Sequence, residues 1–175
     1  EAITIYQKGA NLKGTNKATL HRNLALAYFK SADFSKSVHH AKQSLALNPY
    51  DYNIYSTLGA AYFKTGNLRL AETTLEQGIE LFPEKVDLYV QLGTVYENQN
   101  RLPKAVAILQ KALTTKEISL AKAYNNLGIV YGRMKNYQQS VYYAKQALAN
   151  DPDLLDAYLT LGITYEDMGH QDLAL

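Results

Sequence analysis

The chain has 175 residues and is close to charge balance, with 18 Lys and Arg against 16 Asp and Glu. It contains no cysteine, which excludes disulfide bridges and thiolate metal sites, and no apolar window long enough to span a membrane. Because both the cytosol and an oxidising compartment tolerate a cysteine-free chain, the localisation stays open, with some preference for the cytoplasm.

The charges are unevenly distributed along the chain. Residues 1–51 and 52–145 each carry a net charge of +4, whereas residues 146–175 hold six acidic residues and no Lys or Arg. This asymmetry favours a partner of mixed charge or self-association through the ends, although ordinary surface variation is an alternative. Nucleic acid is not expected as a partner, because the basic residues are dispersed and the acidic end would repel phosphate.

A five-residue pattern recurs along the chain. Its copies LALAY, LGAAY, LGTVY, LGIVY and LGITY begin at Leu24, Leu58, Leu92, Leu127 and Leu161. The spacings are therefore 34 or 35 residues, and a fixed period of this length indicates a solenoid of stacked units.

The repeat predicts one continuous solenoid domain made of successive units. Residues 1–17 read as the second helix of an upstream unit with its turn, and the predicted units that follow are 18–51, 52–85, 86–120, 121–154 and the partial unit 155–175. Because no polar capping helix is seen at either end, we expect a piece of a longer array whose ends could pair head to tail.

Each unit reads as two helices joined by a turn. In the unit 52–85, apolar residues recur at spacings of three and four, and Gly66 interrupts them as a helix C-terminus requires. Pro83 then ends the second helix, and in the next unit Pro103 opens one. Small residues recur at positions 8, 20 and 27 of the units, where we expect the helices to approach closely.

This pattern resembles the tetratricopeptide repeat, W-x2-L-G-x2-Y followed by A-x3-F and Pro, over essentially the whole chain. The chain departs from it in having no Trp, in His21 and Ala25 of the first unit, and in Glu117 where the third unit should close with Pro. The resemblance implies an all-α, right-handed superhelix (α-solenoid) of tandem helix–turn–helix repeats. It also implies a protein–protein interaction scaffold or adaptor.

No pattern in the sequence indicates catalysis, a metal or a cofactor. His39 and His40 are adjacent, so on a helix they point about 100° apart and cannot chelate from one face. His21 stands at an aromatic repeat position, where packing is the expected role. Asp151 and Asp153 flank Pro152 in a turn, where Asp caps a helix. The chain is therefore predicted not to be an enzyme.

The resemblance also implies a concave groove lined by positions 2, 5, 6, 9, 12 and 13 of the first helices. Position 6 is polar and uncharged in every unit, as Asn23, Thr57, Gln91, Asn126 and Thr160. Amides donate and accept hydrogen bonds, so such a row suits the backbone of an extended peptide. It is similar to the asparagine ladder of protein O-GlcNAc transferases.

The groove positions differ in charge along the chain. The first two units are basic and aromatic, and the acidic end follows, which predicts a peptide with acidic and apolar side chains over these two units. The predicted binding residues are Arg22, Asn23, Phe29, Lys30, Thr57, Phe63, Lys64, Gln91, Asn98, Asn126 and Arg133. The residues that clamp a C-terminal carboxylate in chaperone-binding members of the family are not present in register, so binding of chaperone tails is not expected.

Other readings of the sequence stay open. The groove positions could be a solvated face without a ligand, or the chain could assemble with itself through its ends or its convex face. The chain could also be the substrate-recognition arm of a larger enzyme, such as a glycosyltransferase, or an inert spacer.

Overall fold

The structure, a computed structural model, describes residues 2–9, 16–117 and 120–169. All regular secondary structure in these residues is α-helical, which confirms the predicted all-α class. The helices are α1 (Ala2–Gly9), α2 (Lys17–Lys30), α3 (Phe34–Leu47), α4 (Tyr52–Lys64), α5 (Leu68–Leu81), α6 (Val86–Asn98), α7 (Leu102–Ala112), α8 (Ala121–Arg133), α9 (Tyr137–Asn150) and α10 (Leu155–Asp167). Two predicted features lie outside the described residues: the turn after α1 and the end of the partial fifth unit.

The turns inside the hairpins share one backbone device. A residue with positive φ follows each first helix, as in Gly66 at 76°, Asn100 at 57° and Lys135 at 58°. This conformation lets the chain reverse directly after the helix, and glycine adopts it without a Cβ penalty. The next helix is capped by a side chain in two of these hairpins: Asn136 accepts a hydrogen bond from the Gln139 amide at 3.3 Å, and Asp33 accepts one from the Lys36 amide at 3.2 Å.

The small residues at the repeat positions mark close helix contacts. A Cβ on Gly59 would lie 2.6 Å from Leu75 Cδ2, and a Cβ on Gly93 would lie 2.8 Å from Leu109 Cδ2. Both leucines are fully buried. Glycine is thus required at these positions because a leucine of the second helix occupies the space a side chain would need.

The chain divides into two compact units, residues 1–82 and 83–175. In unit 1, helices α2 to α5 form successive hairpins, and α1 packs on α2. Ala25 and Ala41 of the first hairpin meet Ile54 and Leu58 of α4 in one apolar cluster. Ile3 and Tyr6 of α1 pack against the second cluster, Leu20, Leu24 and Tyr28.

In unit 2, helices α6 to α10 follow the same order, and α8 packs against both α6 and α10. Its buried aliphatic core includes Leu88, Leu92, Leu109, Leu127 and Val130. Glu117, the residue in place of the expected Pro, has a structural role: its carboxylate accepts a hydrogen bond of 2.7 Å from the Val86 amide at the start of α6. A carboxylate at a helix N-terminus is favourable because of the free amides and the helix dipole.

Candidate functional site

In unit 1 the predicted binding residues lie on the first helices, α2 and α4, which pack side by side. We call the surface formed by the predicted binding residues of a unit its groove face. Arg22 is half-buried, and its Nη1 lies 3.2 Å from Asp51 Oδ2, while Nε donates to Asn23 Oδ1 at 3.4 Å. The charge of Arg22 is therefore balanced inside the protein.

Lys30 and Lys64 differ from Arg22 in this respect. They are the last residues of α2 and α4, both are exposed, and neither forms an ion pair with another described residue. Phe29 and Phe63 precede them and are half-buried, and Phe29 meets Phe34 edge to face at a centroid distance of 5.4 Å. Lys30 and Lys64 thus each expose a positive charge beside a half-buried phenylalanine.

A cavity of about 380 Å3 lies between α1 and α2. Its lining includes Asn23, Leu26 and Lys30 from α2 with Ile3 and Tyr6 from α1. The cavity brings together two of the predicted binding residues, Asn23 and Lys30. Thr57, another predicted binding residue of unit 1, is not among the residues that line this cavity and is half-buried on α4.

In unit 2 the predicted binding residues largely bond within the protein. Arg133 Nη1 donates to the Glu97 carbonyl at 2.8 Å and lies 3.1 Å from Glu97 Oε1, which ties α8 to α6. Asn126 donates to the Lys122 carbonyl at 2.8 Å and accepts from Thr94 Oγ1 at 3.3 Å.

Asn98 and Gln91 complete the unit 2 set on α6. Asn98 is exposed and donates to the Thr94 carbonyl at 2.9 Å, while Gln91 is half-buried. The hydrogen bonds of Asn126 and Arg133 therefore link α8 to α6 inside unit 2.

A second cavity, of about 200 Å3, opens between α8 and α10. Gly128, Gly132, Ser140, Ile163, Thr164 and Asp167 are among its lining residues. Sequence reasoning missed it, although a signal was present. Gly132 stands at repeat position 12, where the other units have Phe29, Phe63, Glu97 and Glu166.

A second feature that sequence reasoning missed is a cluster of rings in unit 1. His21 Nδ1 lies 3.0 Å from His40 Nδ1, and the His40 ring is parallel to that of Tyr28 at 5.3 Å. Burial, followed by the nearby bases His39 and Lys17, lowers the pKa of His21. Burial, followed by His21 and His39, lowers the pKa of His40. The residues are 19 positions apart, so only the hairpin pairing of α2 with α3 reveals the contact.

The described residues contain no group of three or more His, Asp or Glu side chains arranged to hold a metal ion. None of their helices has both the length and the apolar character needed to cross a membrane.

Tandem helical hairpins that pack on one another within each unit define a repeat protein of the interaction-scaffold class. Two sequence models, each described as tetratricopeptide repeat, match adjoining segments of the chain, residues 52–85 and 86–153. Because these segments together make up more than half of the 175 residues, the chain belongs to the tetratricopeptide repeat family. Members of this family are generally non-catalytic.

Solved structures share this fold. TTC0263, a thermophilic TPR protein of Thermus thermophilus, matches with a TM-score of 0.78 and 20% identity, over 94% of this chain and 89% of that one. A MamA protein matches with a TM-score of 0.71 and 23% identity, over 90% and 86%. MamA from Desulfovibrio magneticus RS-1 gives 0.72 and 19%, over 91% and 90%. No curated protein sequence matches the chain significantly.

Proposed function

We propose that this chain is a non-catalytic scaffold segment that binds an extended peptide of a partner protein on its groove face, with acidic side chains of the peptide over unit 1. The observation that carries the proposal is the pair Lys30 and Lys64, exposed at the ends of two adjacent first helices and without an ion-pair partner among the described residues. Carboxylates of the peptide would form ion pairs with these two lysines, and the adjoining Phe29 and Phe63 would contact apolar side chains of the peptide.

The two arginines among the predicted binding residues differ from these lysines, because their charges are already paired inside the protein. Arg22 and Arg133 face Asp51 and Glu97 at 3.2 and 3.1 Å, so a ligand carboxylate would have to displace a carboxylate already present. Lys30 and Lys64 carry no such cost. The acidic-peptide preference is therefore assigned to the two lysines.

The test is selection of random dodecapeptides displayed on phage against the whole chain, followed by fluorescence anisotropy with the enriched peptides. We expect acidic peptides to be enriched, and Lys30→Glu with Lys64→Glu to weaken their binding about tenfold or more, because like charges would then face each other. The matched control is Lys42→Glu with Arg69→Glu, which makes the same charge change at exposed residues of the second helices α3 and α5.

Each remaining outcome has a distinct meaning. If no peptide is enriched, the peptide-binding function is wrong. If the control pair weakens binding as much as the lysine pair, the effect is one of net charge and the groove-face location is wrong. Self-association of the chain in the same preparation, measured by sedimentation, would favour the homotypic alternative.

A further inference from the structure

The cavity between α8 and α10 lies beside Gly132, a glycine with a single tight neighbour. A Cβ on Gly132 would lie 3.3 Å from Ser140 Oγ and no closer than 3.9 Å to any other atom, whereas a Cβ on Gly59 would overlap Leu75 at 2.6 Å. Gly132 is the next-to-last residue of α8, where glycine brings no gain in helix propensity over alanine. The one short contact, with the hydroxyl of the buried Ser140, is a weaker reason for glycine than the overlap at Gly59, and glycine also leaves the space beside it open.

The hydroxyl groups around this space can only accept hydrogen bonds from a ligand. Thr164 Oγ1 donates to the Thr160 carbonyl at 2.7 Å, so the contact of 2.8 Å between Ser140 Oγ and Thr164 Oγ1 uses the hydrogen of Ser140. Thr160 Oγ1 directs its hydrogen to Asn125 Oδ1 and the Asp156 carbonyl, both at 2.9 Å. All three hydroxyl hydrogens are thus committed inside the protein, and only lone pairs remain.

The rim of the cavity has the same preference. Asp167 lines it, is exposed, and forms no ion pair with any other described residue. Arg133 also lines it, but its charge is balanced by Glu97 at 3.1 Å. The local sum of these three charges is therefore −1, and Ile129 and Ile163 supply apolar walls.

We infer that this cavity binds a lysine side chain of a peptide that lies on the groove face of unit 2, an inference that rests on the proposed peptide-binding function. The aliphatic stem contacts Ile129 and Ile163, and the ammonium group reaches Asp167 and the hydroxyl oxygens of Thr160 and Thr164, since Ser140 is fully buried. An ammonium suits this site better than a guanidinium, because it has three rotatable donors for separate acceptors and needs no second carboxylate edge.

The test repeats the selection from the random dodecapeptide library with the wild-type chain and with Gly132→Leu, which fills the cavity. We expect the peptides enriched by the wild type to share a lysine, and the peptides enriched by Gly132→Leu to lack it. Ala149→Leu, on the exposed face of α9, is the matched control for adding a leucine.

A surface variant guards against misfolding of Gly132→Leu. Asp167→Asn leaves the packing intact, and we expect it to weaken an enriched lysine peptide about two- to fivefold, the range of a solvent-exposed ion pair. The same peptide with its lysine changed to methionine should bind equally to both proteins.

The outcomes separate the inference from the function on which it rests. Enriched peptides without a common lysine, with a common Asp or Glu in its place, or with a lysine retained by Gly132→Leu would overturn the lysine site and leave peptide binding standing. Failure of the wild type to enrich any peptide would overturn both.

Discussion

The hairpins α2–α3 and α8–α9 contain the same arrangement of four rings, built from different residues. His40 lies parallel to Tyr28 at 5.3 Å and 2°, and Tyr143 lies parallel to Tyr131 at 5.4 Å and 3°. The ring of the preceding residue meets each of these central rings edge to face. His39 does so with His40 at 5.2 Å and 78°, and Tyr142 does so with Tyr143 at 5.1 Å and 77°. These rings occupy repeat positions 11, 22 and 23 in both units.

The remaining ring, at position 4, shows where the two hairpins diverge. In α2–α3 it is His21, which meets His40 through nitrogen edges 3.0 Å apart, and in α8–α9 it is Tyr124, with its centroid 6.3 Å from that of Tyr143. One packing solution is thus polar and gains protons as the pH falls below the ordinary pKa of histidine, whereas the other is phenolic. Burial, then Tyr143, raises the pKa of Tyr131, so that phenol stays neutral in the same range.

The largest expected effect comes from deleting the central ring of each hairpin. Tyr143→Ala should lower the free energy of unfolding by about 2–3 kcal/mol, and His40→Ala by about 1 kcal/mol, because the phenol contacts more apolar surface than the imidazole. Urea unfolding followed by circular dichroism measures both.

The control for this pair is Tyr142→Ala, the same change at the adjacent residue, which is 52% exposed. It should cost no more than about 0.5 kcal/mol. Equal losses for Tyr142→Ala and Tyr143→Ala would show that the parallel ring pair does not stabilise the α8–α9 hairpin.

The second prediction concerns pH. Two neutral imidazoles, or one neutral and one charged, can share a single proton between the facing Nδ1 atoms, but two imidazolium rings would place two N–H groups head to head. The groups that bear on the pair are the bases Lys17 and His39, with Lys36 beside Tyr28. From α1 and α4, the phenol rings of Tyr6 and Tyr62 face the hairpin.

Because the folded pKa values lie below the unfolded value, the unfolded chain takes up protons first as pH falls. The stability is therefore complete above the unfolded pKa, about 6.5, and is lost as pH falls through the lower folded values. Loss of this partly buried hydrogen bond between pH 7.5 and 5.0 should cost on the order of 0.5–1 kcal/mol.

The variant His21→Tyr with His40→Tyr introduces the phenol rings of positions 4 and 23 of α8–α9 into the first hairpin. We expect it to lose less stability than the wild type over the same pH range, since the carboxylates and His39 are common to both proteins. Urea midpoints at pH 7.5 and 5.0 give the difference. Identical pH slopes would contradict a role for the His21–His40 contact.

Sequence reasoning reached the fold because the repeat constrains it. The spacing of Leu, Gly and Tyr predicts which faces of the helices meet, and Gly59 and Gly93 indeed lie against leucines. The ring positions could also have been predicted, since aligned units place positions 4, 11 and 23 alike.

The charge state of the groove face could not be predicted in the same way. Arg22 and Lys30 look equivalent in sequence, yet Asp51, 29 residues after Arg22, pairs with only one of them. Such pairings depend on side-chain torsions and on neighbours from other helices, which the repeat pattern does not specify. The resemblance therefore predicts a binding face, and the described contacts distinguish the two exposed lysines on it from the paired arginines.

The smallest expected effect is at repeat position 8, where the two hairpins carry different residues. Ala25 is fully buried in α2, and a Cβ on Gly128 in α8 would lie 3.3 Å from the Ser140 carbonyl oxygen and from Thr160 Cγ2. Ala25→Gly should cost about 1 kcal/mol, because glycine is a poor helix former and a buried methyl is lost.

Gly128→Ala should lie between no change and a loss of about 1 kcal/mol, since better helix propensity offsets a contact that is only slightly too short. Thermal unfolding of the two variants measures the difference. A loss from Gly128→Ala larger than that from Ala25→Gly would mean that the α8–α9 backbones cannot separate by the few tenths of an ångström a methyl needs. In that case the two hairpins would share their ring arrangement while differing in how rigidly their helix spacing is fixed.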